Sequence, residues 1–222
     1  MSKQFLGILA AVVVGLGLIF WFSGGHKNNN SGSSSSGNVQ PSSHIEGQGK
    51  KGVTLVEYGD YECPVCGAYY QTVKEVAAKY NQDIFFQFRN LPLTQIHPNA
   101  FAGARAAEAA GMQGKYFEMH DLLYENQNTW STISNPLPDF QAYAQQLGLD
   151  MTKFNNDYAS AAANDVIQAD LTAFSKTGQE EATPTFFLDG TYVSNDKLVD
   201  NNGPSLDKFS QVIDAAIAAK NK

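Results

Sequence analysis

The chain has 222 residues, 43% of them hydrophobic, enough to bury a full core, so one ordinary domain plus extra segments is expected. A formal charge of −7, with no clustered Lys and Arg, excludes a nucleic-acid surface built on a basic patch. With only two cysteines, no disulfide framework can staple the fold.

The first feature in chain order is Phe5 to Phe22 (FLGILAAVVVGLGLIFWF), which carries no charge. As a helix it would reach about 27 Å, close to the hydrocarbon thickness of a bilayer. Trp21 and Phe22 close the run, as interfacial aromatics do. Residues 1–22 therefore read as an uncleaved transmembrane anchor. A cleaved signal peptide is the alternative, but the run is longer than an ordinary signal core and no A-x-A-like site follows. Residues 23–51 are rich in Gly, Ser and Asn and lack periodicity. They read as a flexible tether, with Ile45 able to dock on the folded part.

The folded domain is expected over residues 52–222. Val53 to Tyr58 is an apolar β-type run, broken by Gly59 and Asp60. Pro64 suits the first turn of a helix. Val65, Tyr69, Val73, Val76 and Tyr80 recur at helical spacing, and Asn81 is a reasonable stop. Ile84 to Arg89 (IFFQFR) reads as a second buried strand. Helices follow over Pro98–Met112, Tyr116–Tyr124 and Pro138–Leu147, the last ending at Gly148. Asp150 can cap a short helix, and Ala163–Lys176 ends at Gly178. Thr185–Leu188, the Asp189-Gly190 turn and Thr191–Ser194 form a hairpin. Ser205 can cap a final helix with Phe209, Val212, Ile213 and Ile217 on one face. The architecture is α/β: βαβ, a helical insertion over about 96–178, then ββα.

Both cysteines lie in Cys63-Pro64-Val65-Cys66, between the first strand and its helix. One helical turn brings two such sulfurs close enough to bond and part, which is the unit of dithiol/disulfide exchange. A purely structural bridge over so short a loop would stabilise little. Zinc would need two further ligands. Of the four histidines, His26 and His44 fall in the tether, and His97 and His120 are too far apart to share a helical turn. No metal or cofactor is expected. Cys63 would lie at the helix N-terminus, where free N–H groups favour a thiolate. Cys66, one turn inside, would be more buried and act second. His97 and His120 read as locally satisfied or packing histidines, and Asp60 and Glu62 as solvated.

VEYGDYECPVC followed by a helix, and ATPTFFLDG much later, resemble the DsbA-like branch of the thioredoxin superfamily. The stretch RNLPLTQIHPNAFAGARAAEAAGMQGKYFEMHDLLYENQ also resembles the helical domain that its members insert. The resemblance covers about residues 52–220 and implies a thioredoxin fold. It implies that Thr183-Pro184 is the cis-proline loop facing Cys63 and Cys66, and that Glu57 is a buried acid exchanging a proton with Cys66. Pro64, Val65 and Thr183 would contact the client. Pro64-Val65 departs from the Pro-His of the best-known DsbA proteins, which leaves the reduction potential open.

The activity so implied is thiol-disulfide exchange, most simply donation of a disulfide to reduced, exported proteins. A reductase or isomerase, or a non-enzymatic module holding a metal or a client, are the alternatives. A quinone-linked membrane protein that re-oxidises the pair is implied by the family. The chain would be a monomer, a single-pass membrane protein with its catalytic domain outside the cytoplasm, where disulfides persist.

Overall fold

A computed structural model describes residues 39–220. The anchor expected over residues 1–22, and the tether as far as residue 38, lie outside the described residues. Among the described residues no helix is long and apolar enough to cross a membrane.

The main sheet is built from β1 (Ile45–Glu46), β2 (Val53–Gly59), β3 (Ile84–Asn90), β4 (Thr185–Leu188) and β5 (Thr191–Val193), in the order β1-β3-β2-β4-β5. β2 and β3 run parallel, joined by helix α1 (Pro64–Lys79), and the other pairs are antiparallel. Parallel neighbours need such a crossover, and α1 supplies it. Six helices separate β3 from β4: α2 (Ala100–Gly111), α3 (Tyr116–Glu125), α4 (Gln127–Trp130), α5 (Leu137–Gln146), α6 (Met151–Tyr158) and α7 (Ala161–Ser175). After β5 come a short 3-10 turn, a two-stranded ribbon of β6 (Val199–Asp200) and β7 (Gly203–Pro204), and helix α8 (Leu206–Lys220).

The alternation in β2 sorts its side chains. Leu55 and Glu57 stand on one face with Phe86 and Phe88 of β3 and Phe186 of β4, by register. On that face Phe186 packs on Tyr69 of α1 and Phe209 of α8, while Phe88 packs on Tyr124 of α3. Tyr58 stands on the opposite face with Phe187, closed over by Phe174 of α7. Trp130, Phe140 and Phe154 of the insertion are fully buried and belong to the same apolar core as the sheet.

Local signals account for the ends of several elements. Asp150 Oδ1 accepts from the Lys153 amide at 2.9 Å, so it caps α6 as its sequence position predicts. Ser160 caps α7 in the same way, which starts that helix two residues earlier than the periodicity shows. The β4–β5 turn has positive φ at both Asp189 (50°) and Gly190 (77°), the twist a tight hairpin requires.

The tether expected to reach residue 51 is shorter than that. Ile45 and Glu46 pair with Gln87 and Phe86 as an edge strand. Ser42 is buried, and its amide and hydroxyl both donate to Asp170 Oδ1, at 2.8 and 3.0 Å. His44 is likewise no tether residue: it stacks on Tyr116 at 3.4 Å and its Nε2 reaches the Glu108 carboxylate at 2.9 Å. Asn90 Nδ2 ties the two buried acids together, donating to Glu108 at 2.7 Å and to Asp170 at 3.1 Å.

Candidate active site

Cys63 is the N-cap of α1, with extended backbone (φ −66°, ψ 119°) and Pro64 entering the helix behind it. Its carbonyl accepts the first helical bond, from the Gly67 amide at 3.1 Å. Cys63 Sγ lies 3.5 Å from the Thr183 carbonyl oxygen, and the Thr183–Pro184 peptide is cis. The loop before β4 and the start of α1 thus meet over the thiol, with Pro184 buried and Thr183 half-buried. Pro64 and Val65 are exposed, Val65 by 49%.

The two thiols differ in chemistry more than in exposure. Cys63 is 5% exposed and Cys66 0%, so Cys63 lies just beneath the surface rather than standing out in solvent. A hydrogen bond from Cys66 pulls the Cys63 thiol down to about 5, against the effect of burial, with the amides of Val65 and Cys66 assisting. Burial pushes Cys66 well up, and the neighbouring Cys63 and Glu57 add to it. A thiolate one turn from a neutral, buried thiol is an arrangement suited to exchange. Both sulfurs are free thiols.

Glu57 is 2% exposed, set between Phe88 and Phe186 by register. Burial in that apolar slot, reinforced by the Cys63 charge, raises its carboxyl to about 8. An acid that titrates there can take or give a proton near neutral pH. Burial, with Glu57 and Cys66 adding to it, raises the hydroxyls of Tyr69 and Tyr124.

Asp60 corrects the sequence reading. It is not solvated but 1% exposed, and it holds the active-site loop. Its carboxylate accepts from the Glu62 amide at 2.8 Å and the Leu93 amide at 2.9 Å, and faces His97 Nδ1 at 2.7 Å. Its carbonyl accepts from the Cys63 amide at 3.2 Å and the Tyr124 hydroxyl at 3.3 Å. Glu62 is also engaged, accepting from the Asn99 amide. Gln127 of α4 completes the clamp, donating to the carbonyls of Tyr61 at 2.7 Å and Cys63 at 2.9 Å. The Gly59-Asp60 strand break before the cysteines was the available signal for Asp60. Nothing local marks Gln127, whose partners lie more than sixty residues away.

Solved structures share this fold. BdbD from Bacillus subtilis, in its oxidised form, superposes with a TM-score of 0.66 at 19% identity, covering 81% of this chain and 96% of that one. Alpha-DsbA1 from Wolbachia pipientis gives 0.65 at 21% identity, over 82% and 95%. Among sequence relatives, the Na(+)/H(+) antiporter NhaA 1 of Salinispora arenicola is 41% identical over 152 residues, which is 66% of this chain but 22% of the antiporter. NhaA 3 of Salinispora tropica matches at 40% over the same shares. This chain thus spans about a fifth of the length of those relatives. The family model described as Thioredoxin matches residues 40–215, and the chain belongs to that family.

Proposed function

We propose that this protein is a thiol-disulfide oxidoreductase that donates its Cys63–Cys66 disulfide to reduced, exported proteins. The observation that carries the reading is geometric: Cys63 caps α1 3.5 Å from the cis Thr183–Pro184 loop, with Cys66 fully buried one turn inside, and the lowered Cys63 and raised Cys66 thiols agree with it. A client thiolate attacks the Cys63 sulfur, and Cys66 leaves and is protonated, with Glu57 at hand to supply the proton. A second client thiolate then attacks the client sulfur of the mixed disulfide, the client's own disulfide closes, and Cys63 leaves as a thiolate. The lowered thiol makes Cys63 a good leaving group and stabilises the reduced protein, so the disulfide is passed on readily. That favours an oxidase over the reductase or isomerase alternative.

Client recognition would fall to exposed apolar side chains beside the cysteines. Val65 is 49% exposed within the motif, and Ile96 is 69% exposed in the turn that Asp60 holds through Leu93 and His97. Pro64, Val65 and Thr183 are the residues proposed to touch an extended client, and apolar contact of this kind suits an unfolded chain. The protein would act as a monomer, anchored through residues 5–22 with its domain outside the cytoplasm, and be re-oxidised by a quinone-linked membrane protein.

Trapping tests the assignment of the two thiols. Cys66→Ala in the whole chain should accumulate mixed disulfides with client proteins, resolved by reductant on a non-reducing gel. Cys63→Ala should accumulate none. Equal trapping by both variants would overturn the roles of nucleophile and resolving thiol.

A further inference from the structure

A cavity of about 240 Å³ lies among α1, the sheet and α3, bounded in part by Glu46, Glu57, Lys74, His120 and Asp121. Glu57 and Phe88 are register partners in parallel strands, so their side chains share one face. His120 of α3 packs edge-on against Phe88 at 4.8 Å. The sheet thus brings the imidazole and the buried acid to the same cavity.

His120 is 5% exposed, and its Nε2 is buried without a hydrogen-bond partner. Its Nδ1 lies 3.3 Å from Asp121 Oδ1. A carboxylate only accepts, so Nδ1 carries the hydrogen and Nε2 presents a bare lone pair. Burial lowers the imidazole, with Asp121 opposing and Lys74 adding to the fall. The charged and titratable groups around it are Asp121, Tyr116 and Tyr124 on α3, Lys74 and Tyr70 on α1, Glu46 on β1, Glu57 on β2 and Tyr61 before α1. Packing alone does not explain the residue, because an unpaired buried acceptor is costly and a phenylalanine would fill the same aromatic cluster. A cavity of this size with polar walls can hold several water molecules.

We propose that His120 relays the proton of the resolving thiol between Glu57 and solvent, through water in this cavity. The inference rests on the exchange function above. When Cys66 attacks a mixed disulfide at Cys63, the Cys66 S–H bond breaks and the proton passes to the Glu57 carboxylate. The Cys63–Cys66 bond forms, and the client leaves as a thiolate. Glu57 then gives its proton to water, water gives one to His120 Nε2, and the imidazolium releases one on the Asp121 side. One proton reaches solvent for each disulfide closed. In the donating direction it travels back along the same groups.

The test uses His120→Gln and His120→Phe in the whole chain. The rate at which Cys66 resolves a preformed mixed disulfide should fall about tenfold near neutral pH, with an altered pH profile. The reduction potential should be unchanged, and added imidazole should speed the His120→Gln variant. Resolution as fast as in the unaltered chain at every pH would overturn the relay. A second measurement does not depend on those variants folding or on any exchange activity. The His120 ring resonances, followed by NMR, should titrate differently in Glu57→Gln; identical titrations would also overturn it. An unaltered chain that exchanges no disulfide would strike down the function above, while the resonance experiment would still decide whether His120 and Glu57 are coupled.

Discussion

Two residues with opposed shifts govern how stability follows pH. Cys63 is held below its ordinary value, at about 5 against 9. In the reduced protein its contribution is fully present above about pH 9 and is lost as pH falls through about 5. Glu57 is raised from 4.5 to about 8, so its contribution runs the other way: stability falls as pH rises from about 4.5 to about 8. The two slopes oppose each other across their shared range. The oxidised protein has no Cys63 thiol to titrate, so the opposing rise is absent and the fall from Glu57 stands alone, somewhat reduced without the Cys63 charge but still set by burial. Glu57→Gln should remove the fall and stabilise both forms at neutral pH, on the order of a few kcal/mol. It should also slow resolution by Cys66. Urea unfolding of both redox forms at several pH values reads this directly, and unchanged slopes in Glu57→Gln would contradict it.

At the scale of elements, the site depends on how the loop before α1 is held. Gly67 sits on the first turn of α1, where an added Cβ would meet Gln127 Oε1. Gln127 cannot swing aside without losing its bonds to the Tyr61 and Cys63 carbonyls. Alanine ordinarily gains about 1 kcal/mol over glycine inside a helix. Here the crowding, which costs about 1–3 kcal/mol in packed sites, should win. Gly67→Ala is therefore expected to destabilise the fold by about 1 kcal/mol or more and to change the rate at which Cys63 reacts with a small disulfide. A gain in melting temperature with unaltered reactivity would show that the clamp is unimportant. This clamp is not legible in the sequence, whereas the elements it joins are. β2, α1 and β3 follow from apolar periodicity, and the β4–β5 hairpin from its Asp-Gly turn. β1 escapes a sequence reading because two paired residues carry no pattern of their own. Asp60 reads as solvated because its burial is imposed by Leu93 and His97, from the far side of a crossover.

At the scale of the molecule, the segment just before the first long strand belongs to the domain. Ser42 and His44 reach Asp170 and Glu108, acids buried on α7 and α2, and Asn90 bridges the two. Composition hides this, since Gly and Ser continue into residues that pack. A chain beginning at residue 47 would leave Asp170 and Glu108 without these partners. It should be less stable by about 2–4 kcal/mol, because buried carboxylates that lose donors are costly and, among the described residues, only the Asn90 bonds would remain. Denaturant midpoints of the long and short chains should separate accordingly; identical midpoints would refute the role of this segment. The two halves of the candidate active site, Cys63–Cys66 and Thr183–Pro184, are legible as motifs in combination. Their meeting at 3.5 Å requires the whole α/β topology, with the helical insertion between them.

The most direct test is a redox titration of the whole chain against glutathione, following the Cys63–Cys66 pair. A Cys63 thiolate stabilised in the reduced protein predicts an oxidising couple, at or above about −180 mV. A value near about −270 mV, where thioredoxin poises, would contradict donation of the disulfide and point to a reductase.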